Sequence, residues 1–369
     1  MRIMVLVFMA PFLYGIGFEE YVQLALQKSP QIYRYDLKSQ KLSIQTRYAT
    51  KSAPDLELLA GRYDDGSGFE LGLEWQVRLF GDLYRQLGRS ERELLEYEKE
   101  LQKALLQKRL FDLYMDYSVL IFQKDLLQKE LDGALRILDM VRSKQGLGFA
   151  SRYDLARARQ YFLLARSKRS QLDLAIADAS SRLRALSRLE LLPDPSLSLP
   201  KVPRARRSCY LRKRMETLRQ RLRLARKRFK AVRFLASVEK EPKSAIYRAG
   251  VGLALPLYEP KEAQLGRIDL LQAQRELESY QELLAITLTS LQDRLTRLKE
   301  HRATLGKLLA NQRRLVSMAR QRYRIDKSRL DELIRLQKEL WDLKIQELKN
   351  RAQELKIAYE LRFFEGERK

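Results

Sequence analysis

The side chains that most often carry out chemistry in proteins are scarce in this sequence. It contains one cysteine, Cys209, and one histidine, His301. One residue of each kind excludes an internal disulfide, a zinc cluster built from cysteine and histidine, and most catalysis by histidine. The sequence also lacks a glycine-rich phosphate loop, a dinucleotide-binding fingerprint and a metalloprotease helix. We therefore expect a protein that is not an enzyme and that binds no cofactor or metal.

The carboxylates with the most suggestive spacing occur in two Ser-x-x-Asp patterns. Ser151 precedes Asp154 and Ser328 precedes Asp331, so the two copies lie 177 residues apart. A serine can cap the first turn of a helix, and an acid three residues later is favoured by the helix dipole. The pattern therefore predicts two helix starts at Ser151 and Ser328. It leaves open whether Asp154 and Asp331 also bind cations.

The elements that must position these aspartates are helices of unusual length. The sequence predicts a long helix over about 82–145 with a return helix over 151–191, and a second pair over about 260–325 and 328–364. About 64 residues at 1.5 Å each give a rod of roughly 100 Å. Each pair turns at a tip, and the candidate tip residues are Gly146, Gly148, Ser151, Ser328 and Arg329. Leucines at heptad spacing along the second rod predict a coiled-coil seam at Leu270, Leu277, Leu284, Leu291, Leu298 and Leu305.

Each long helix is preceded by a pair of short segments with strand character. Strands are expected over about 55–63 and 69–80 in the first half and over 232–239 and 245–257 in the second. Residues 69–80 alternate strictly between apolar and other residues, over about the length that a tilted strand needs to cross a bilayer, and residues 245–257 again have an apolar residue at every second position. We expect the apolar set to face lipid: Leu71, Leu73, Trp75, Val77, Val251, Leu253 and Leu255.

Four strands cannot close a membrane barrel by themselves. An open edge in lipid leaves backbone groups without hydrogen-bond partners, which costs several kcal/mol for each group. The strands therefore require several copies of the chain to come together if they lie in a membrane.

The order of these elements suggests a leader followed by two structural repeats. Residues 1–17 have an apolar run that is too short to span a bilayer and ends in small residues, which predicts a signal peptide cleaved after Gly17. The first repeat covers 18–191, a Pro-rich and basic linker covers 192–209, the second repeat covers 210–365, and a tail covers 366–369. Leu-Gly-Arg recurs at 87–89 and 265–267, which are 178 residues apart, so an internal duplication is indicated.

The strong positive charge allows a second interpretation. The net charge is +25, and basic residues are densest in Lys201–Arg233. Basic residues in this number can bind nucleic acid, acidic partner proteins or an anionic surface, or can simply be solvated. The alternative function is a soluble basic coiled-coil protein that binds nucleic acid. A zipper-type DNA reader would join its basic helix directly to the leucine heptads, whereas Pro242, Pro256 and Pro260 interrupt the two here.

Three motifs in this arrangement resemble those of the TolC-like outer-membrane efflux channels. A strand ending in Pro-Leu-Phe/Tyr is similar to Leu255-Pro256-Leu257-Tyr258. The family's tip pattern G-x-x-S/T-x-x-D is similar to Gly148–Asp154, and its shorter second copy to Ser328–Asp331. Arg78 and Ile325 depart from the family pattern, because they stand where the first strand has proline and the second tip has glycine.

The resemblance implies a mainly α fold with a small β part, built from two repeats of helix, strand, strand, long helix and return helix. It implies a homotrimer with a twelve-stranded barrel in the outer membrane and a helical periplasmic tunnel. The function implied is a passive exit channel of a tripartite efflux or type I secretion system. The implied partners are a periplasmic adaptor protein, an inner-membrane pump of RND or ABC type and outer-membrane lipid, with no nucleic acid. Asp154 and Asp331 become candidates for the periplasmic gate, and the tips for the adaptor contact.

Overall fold

The fold is described from a computed structural model, which describes residues 16–50, 54–63, 66–78, 81–204, 206–227, 231–240, 245–253, 261–325 and 329–366. The element types from α2 to α4 recur in the same order from α5 to α7. In chain order the elements are α1 (Phe18–Lys28), α2 (Pro30–Thr50), β1 (Pro54–Tyr63), β2 (Gly66–Arg78), α3 (Gly81–Gly146), α4 (Arg152–Ser187), α5 (Arg207–Ala225), β3 (Ala231–Lys240), β4 (Ala245–Leu253), α6 (Lys261–Arg324) and α7 (Leu330–Glu365).

The two long helices contain no residue that would end a helix. α3 has 66 residues and α6 has 64, and neither contains a proline. The return helices α4 and α7 have 36 residues each. At about 1.5 Å per residue each long helix extends close to 100 Å. The bounds lie within one residue of the predicted spans 82–145 and 260–325.

Two helix boundaries differ from the predicted repeat bounds by three residues or more. α4 ends at Ser187 instead of 191, because Arg188 takes a left-handed conformation with φ of 59° and donates its backbone N–H to Arg184 O at 2.8 Å. This C-cap is usually a glycine, so the sequence does not signal it. α5 begins at Arg207 instead of 210, with Arg206 as its N-cap. The segment between α4 and α5 therefore covers 188–206, so it begins four residues before the predicted linker 192–209 and ends three residues before it.

The four strands form one antiparallel sheet in the order β1-β2-β3-β4. The first hairpin is tighter than the sequence suggests, because Tyr63 pairs with Gly66 and the glycine-rich residues 66–68 belong to β2. β2 ends at Arg78 and β4 at Leu253, whereas residues 79–80 and 254–260 lie outside the described part of the chain. Leu255 is among those residues, so its predicted lipid-facing position is not described.

The register of the sheet aligns the apolar positions of all four strands. Leu73 pairs with Leu56 on β1 and with Ala236 on β3, and Ala236 pairs in turn with Ala249 on β4. Residues paired in this way occupy the same face of an antiparallel sheet. The other predicted lipid-facing positions follow the same alignment, through the pairs Leu71–Val238, Trp75–Phe234, Val77–Val232, Phe234–Val251 and Val232–Leu253.

The chain divides into two compact units, and the first has two apolar cores. This unit contains the chain up to Ser29, Lys103–Ala205 and Ile286–Lys369. One core joins α1, α3, α4 and α7, and its aromatic centre is Phe111, whose ring stacks on Tyr359 with centroids 4.0 Å apart. The other core joins α3, α4, α6 and α7 near the ends where the helices turn, around fully buried residues such as Val141 and Leu333.

The second unit, Pro30–Gln102 and Arg206–Ala285, contains the sheet and the helix ends next to it. Ser90 of α3 and Thr217 of α5 are buried and share a hydrogen bond of 2.9 Å between their hydroxyls. Gly88 allows α2 and α3 to approach closely, because a Cβ at this position would lie 2.5 Å from Thr46 Cγ2. Among the described helices, none combines the length and the apolar character that a membrane span requires.

Candidate functional site

The first hairpin tip is a short turn that depends on one glycine. α3 ends at Gly146, and Phe149 donates its backbone N–H to Lys144 O at 2.8 Å. Gly148 has φ of +78°, a left-handed conformation that costs an L-residue about 1–2 kcal/mol. A Cβ added at Gly148 would have no atom within 4 Å, so there is room for a side chain. Glycine is needed here for the backbone conformation.

Ser151 and Asp154 close the start of α4 as a reciprocal capping box. Asp154 N donates to Ser151 Oγ at 3.0 Å, and Ser151 N donates to Asp154 Oδ2 at 3.0 Å. Ser151 Oγ also donates to Asp154 Oδ2 at 2.7 Å. One carboxylate oxygen thus accepts two hydrogen bonds from the cap, and the capping expected from the sequence pattern is present.

The second tip is built differently. α6 ends at Arg324, and Ile325 N donates to Gln321 O at 3.3 Å. The N-cap of α7 is Arg329 instead of the predicted Ser328, which lies outside the described residues, and Arg329 makes no side-chain capping bond. Asp331 and Glu332 are in the first turn of α7, where acids are favoured by the helix dipole. A capping box between Ser328 and Asp331 would include a residue outside the described part of the chain, so it stays a prediction.

Two polar contacts join the tips. Arg157, one turn beyond Asp154, lies 3.5 Å from Asp331 Oδ1 through its Nε. Lys144 near the end of α3 donates to the backbone oxygen of Tyr323 near the end of α6, and its Nζ lies 4.4 Å from the centroid of the Tyr323 ring. The structure therefore places Asp154 and Asp331 on adjacent helix ends and attaches the second tip to the first.

Apolar side chains at both tips are exposed to an unusual degree. Leu147 is 70% exposed, Phe149 68%, Tyr153 60% and Ile325 62%. Four large apolar residues in one place are typical of a surface that contacts another molecule. These four residues were not among the predicted site residues, although apolar residues within or next to a predicted turn were a usable signal.

A shallow groove of about 660 Å³ runs along the start of α4 next to these residues. Its apolar wall is formed mainly by Leu155, Leu163 and Leu164, of which Leu163 is 52% exposed. Arg152 and Arg159 lie at its rim. The groove has the composition of a contact surface for a partner with both apolar and acidic groups.

A buried carboxylate lies beneath the tips in the core of α3, α4 and α7. Glu130 is 1% exposed, and burial raises its pKa above the ordinary value. The ammonium of Lys168 acts in the opposite direction from 4.0 Å, and lies at the same distance from Asp342. Burial also raises the pKa of the adjacent Tyr161 phenol. In the described part of the chain, no group of three or more potential ligands could hold a metal ion.

The predicted lipid-facing residues lie in the sheet, away from this site in sequence. Leu71, Leu73, Trp75 and Val77 occupy alternate positions of β2, and Leu253 ends β4. Val251 of β4 is 66% exposed. The register of the strands thus aligns these apolar positions with one another, and their contact with lipid stays a prediction.

Comparisons with known proteins agree with the resemblance noted from the sequence. No protein-family model matches the chain, and no curated protein matches it in sequence. Solved structures match it in fold. The outer membrane protein VceC from Vibrio cholerae is 15% identical, with 95% of each chain covered and a TM-score of 0.74.

Two outer membrane channels match the chain with slightly higher TM-scores. CmeC from Campylobacter jejuni is 12% identical over 98% of this chain and 90% of its own, with a TM-score of 0.77. The open state of MtrE from Neisseria gonorrhoeae is 12% identical over 95% of this chain and 88% of its own, also at 0.77. The chain therefore has the fold of outer-membrane channel proteins.

Proposed function

We propose that the chain is a passive exit channel in the outer membrane, assembled as a homotrimer. The observation that carries this proposal is the four-stranded open sheet with one aligned apolar set of positions, in a chain with the fold of outer-membrane channels. In lipid its two edge strands, β1 and β4, need partners. Three copies would supply twelve strands and pair every edge around a closed barrel.

The helical part would form a periplasmic tunnel that receives substrate from an inner-membrane pump through an adaptor protein. The exposed apolar tips and the adjacent groove on α4 support a docking role, and the residues proposed for it are Gly146, Gly148, Ser151, Ser328 and Arg329. Such an arrangement serves tripartite efflux or type I secretion. Residues 1–17 would act as the export signal, with cleavage after Gly17. This fold favours export over the nucleic-acid-binding alternative.

Asp154 and Asp331 would line the gate at the tunnel entrance. In a trimer each would occur three times around the axis, and a ring of carboxylates attracts and binds cations. The geometry distinguishes the two positions, because Asp154 belongs to the cap of its own helix, whereas Asp331 forms an ion pair with Arg157 on a neighbouring helix end. Arg157 would hold the entrance closed by joining α4 to α7, and losing that contact would free the start of α7.

The proposal is tested by placing a charge on the apolar set of β2. Leu73→Arg should cost roughly 2–4 kcal/mol near the bilayer midplane and prevent insertion. Glu74→Arg is the matched control, since it introduces the same side chain at the next position, which belongs to the opposite set. The measurement is the amount of heat-resistant trimer in outer-membrane fractions and the conductance of the purified protein in planar bilayers. Normal trimer and conductance from Leu73→Arg would contradict the membrane role.

A further inference from the structure

The proposed export function leaves the concentrated basic charge of α5 unexplained. α5 contains seven lysines or arginines and one acid, Glu216, in 19 residues. The cations of such a helix can be neutralised within the fold, solvated by water, or presented to an anionic partner.

Three of these cations are neutralised within the second unit. Lys213 lies 2.6 Å from Glu93 Oε2, and Arg221 lies 2.7 Å from Glu91 Oε1, both on α3. Arg214 lies 2.6 Å from Glu276 Oε2 on α6. The cations that face neighbouring helices therefore have matching acids.

A second group of cations has no such partner. Arg212, Arg219, Arg223 and Arg226 are exposed, and none of their side chains makes an ion pair or hydrogen bond with the residues that the structure describes. Their spacings of seven, four and three residues place them on one face of the helix. The acid on the same line, Glu216, pairs with Lys213 at 2.8 Å. We call these four residues the arginine stripe.

The stripe ends next to the sheet. Arg226 is the C-cap of α5, and β3 begins at Ala231, five residues later. At 1.5 Å per residue, Arg223 lies about 5 Å from Arg226 along the helix, Arg219 about 10 Å and Arg212 about 21 Å. Because the attraction of an anionic surface decays over about 8 Å at physiological ionic strength, only the end of the stripe next to β3 can respond to a membrane that begins there.

We propose that Arg223 and Arg226, with a weaker contribution from Arg219, bind the anionic headgroups of phospholipids in the leaflet that β3 enters. This proposal rests on the proposed function, since it requires the strands to lie in a membrane. Guanidinium groups suit phosphate because their planar fork makes paired hydrogen bonds with its oxygens. The contact would fix the depth of the sheet in the bilayer from the helical side.

The simpler explanation is that cations near a helix C-terminus stabilise the helix dipole. That explanation predicts a loss of stability that is independent of lipid. The headgroup contact predicts an effect that depends on the charge of the lipid and weakens with salt. The two explanations therefore differ in a measurable way.

The test uses the full-length protein, purified in detergent and equilibrated with mixtures of phosphatidylglycerol and phosphatidylcholine. The lipid retained by the protein is then quantified, at low and at high salt. We expect the wild type to enrich phosphatidylglycerol and to lose this enrichment at high salt. The Arg223→Gln/Arg226→Gln variant should bind phosphatidylglycerol less well by roughly fivefold for each arginine removed. Arg212→Gln is the matched control on the same face, and should behave as the wild type.

Four results would overturn the proposal. The first is equal retention of the two lipids by the wild type, and the second is undiminished enrichment of phosphatidylglycerol by the double variant. The third is a loss of this enrichment in Arg212→Gln as large as in the double variant. The fourth is displacement of the bound phosphatidylglycerol by a nucleic acid oligonucleotide that binds in its place. Dissociation of the double variant into monomers without added lipid would instead assign the stripe to a contact between copies. If the wild type fails to enter bilayers of either lipid or of their mixture, the proposed membrane function itself fails. A protein that inserts and conducts without any preference for anionic lipid contradicts only the headgroup contact.

Discussion

The two hairpin tips of this chain have similar sequences and join helices of similar length, yet they hold their shape by different means. The first tip turns at Gly148 and closes α4 with the Ser151–Asp154 capping box. The second starts α7 from Arg329 without a side-chain cap. It relies on packing and on contacts made by the first tip, through Arg157 and Lys144.

This difference shows how a duplicated element can divide its tasks. A tip that satisfies its own backbone can remain fixed while its neighbour moves. A tip held mainly by contacts with that neighbour can be released when those contacts break. We therefore expect the first tip to serve as the fixed part of the entrance and the second as the movable part. Four predictions test this comparison, in order of decreasing effect on stability.

The largest effect should come from the packing that holds the second tip. Leu333 lies in the first turn of α7 and is 0% exposed in the core of four helices. Leu333→Ala should lower the free energy of unfolding by about 2–5 kcal/mol, because it removes buried methyl groups and leaves a cavity. Thermal unfolding of the detergent-solubilised protein measures the change. Leu174→Ala, at a position that is 73% exposed, is the control and should change stability by less than about 0.5 kcal/mol.

The next effect concerns the turn of the first tip. Gly148→Ala should destabilise the protein by about 1–2 kcal/mol, because alanine is strained at a positive φ. Gly146→Ala, two residues earlier at the end of α3, should be neutral or stabilising by up to about 1 kcal/mol, since alanine is the better helix residue. The same unfolding measurement compares the two. Equal destabilisation by both variants would show that the turn does not depend on the conformation of Gly148.

A smaller effect should separate the two helix caps. Ser151→Ala removes the side-chain acceptor for Asp154 N and should cost about 1 kcal/mol. Arg329→Ala changes the corresponding residue of the second tip, where no capping bond exists, and should cost less than about 0.5 kcal/mol. Hydrogen exchange in the first turns of α4 and α7 reports the change locally. If Arg329→Ala opens α7 as much as Ser151→Ala opens α4, the proposed difference between the tips is wrong.

The smallest effect on stability should accompany a large effect on conduction. Asp331→Ala removes an exposed ion pair with Arg157 and should cost at most about 1 kcal/mol. It should nevertheless raise single-channel conductance and weaken block by divalent cations, because it frees the start of α7 and removes a ring of carboxylates. Arg157→Ala should raise conductance but keep the cation block. Unchanged conductance and block in Asp331→Ala would refute the gate role.

Much of the fold could be predicted from the sequence, because long elements leave long patterns. The absence of proline from α3 and α6 and the strict alternation in β2 each extend over many residues, so a local error does not hide them. Single-residue events were missed instead. Arg188 ends α4 in a conformation usually reserved for glycine, and Gly66–Gly68 extend β2 although glycines favour turns. In both cases backbone hydrogen bonding, from Arg188 to Arg184 and between residues 66–68 and 61–63, outweighs a weak local preference.

The site was predicted less completely than the fold, for a related reason. The capping box at Ser151 is encoded within four residues, so its pattern can be read directly. The contact between Arg157 and Asp331 joins residues far apart in the chain, and no local pattern signals it. The exposed tip residues, such as Phe149, could have been found by asking why a turn would contain large apolar side chains. Their exposure itself becomes visible only in the folded chain.

The anchoring of α1 has a consequence for the order in which the chain can fold. The hydroxyl of Tyr21 bonds to Ser187, which lies 166 positions later, and the ring of Phe18 stacks on Tyr114. The first helix to emerge from the ribosome therefore finds its complete set of partners only after the end of the first hairpin, at Ser187, has been synthesised. An N-terminal segment that remains without partners for so long is accessible to a secretion machinery during synthesis. The late docking of α1 would then complete the first repeat only after the chain has left the cytoplasm.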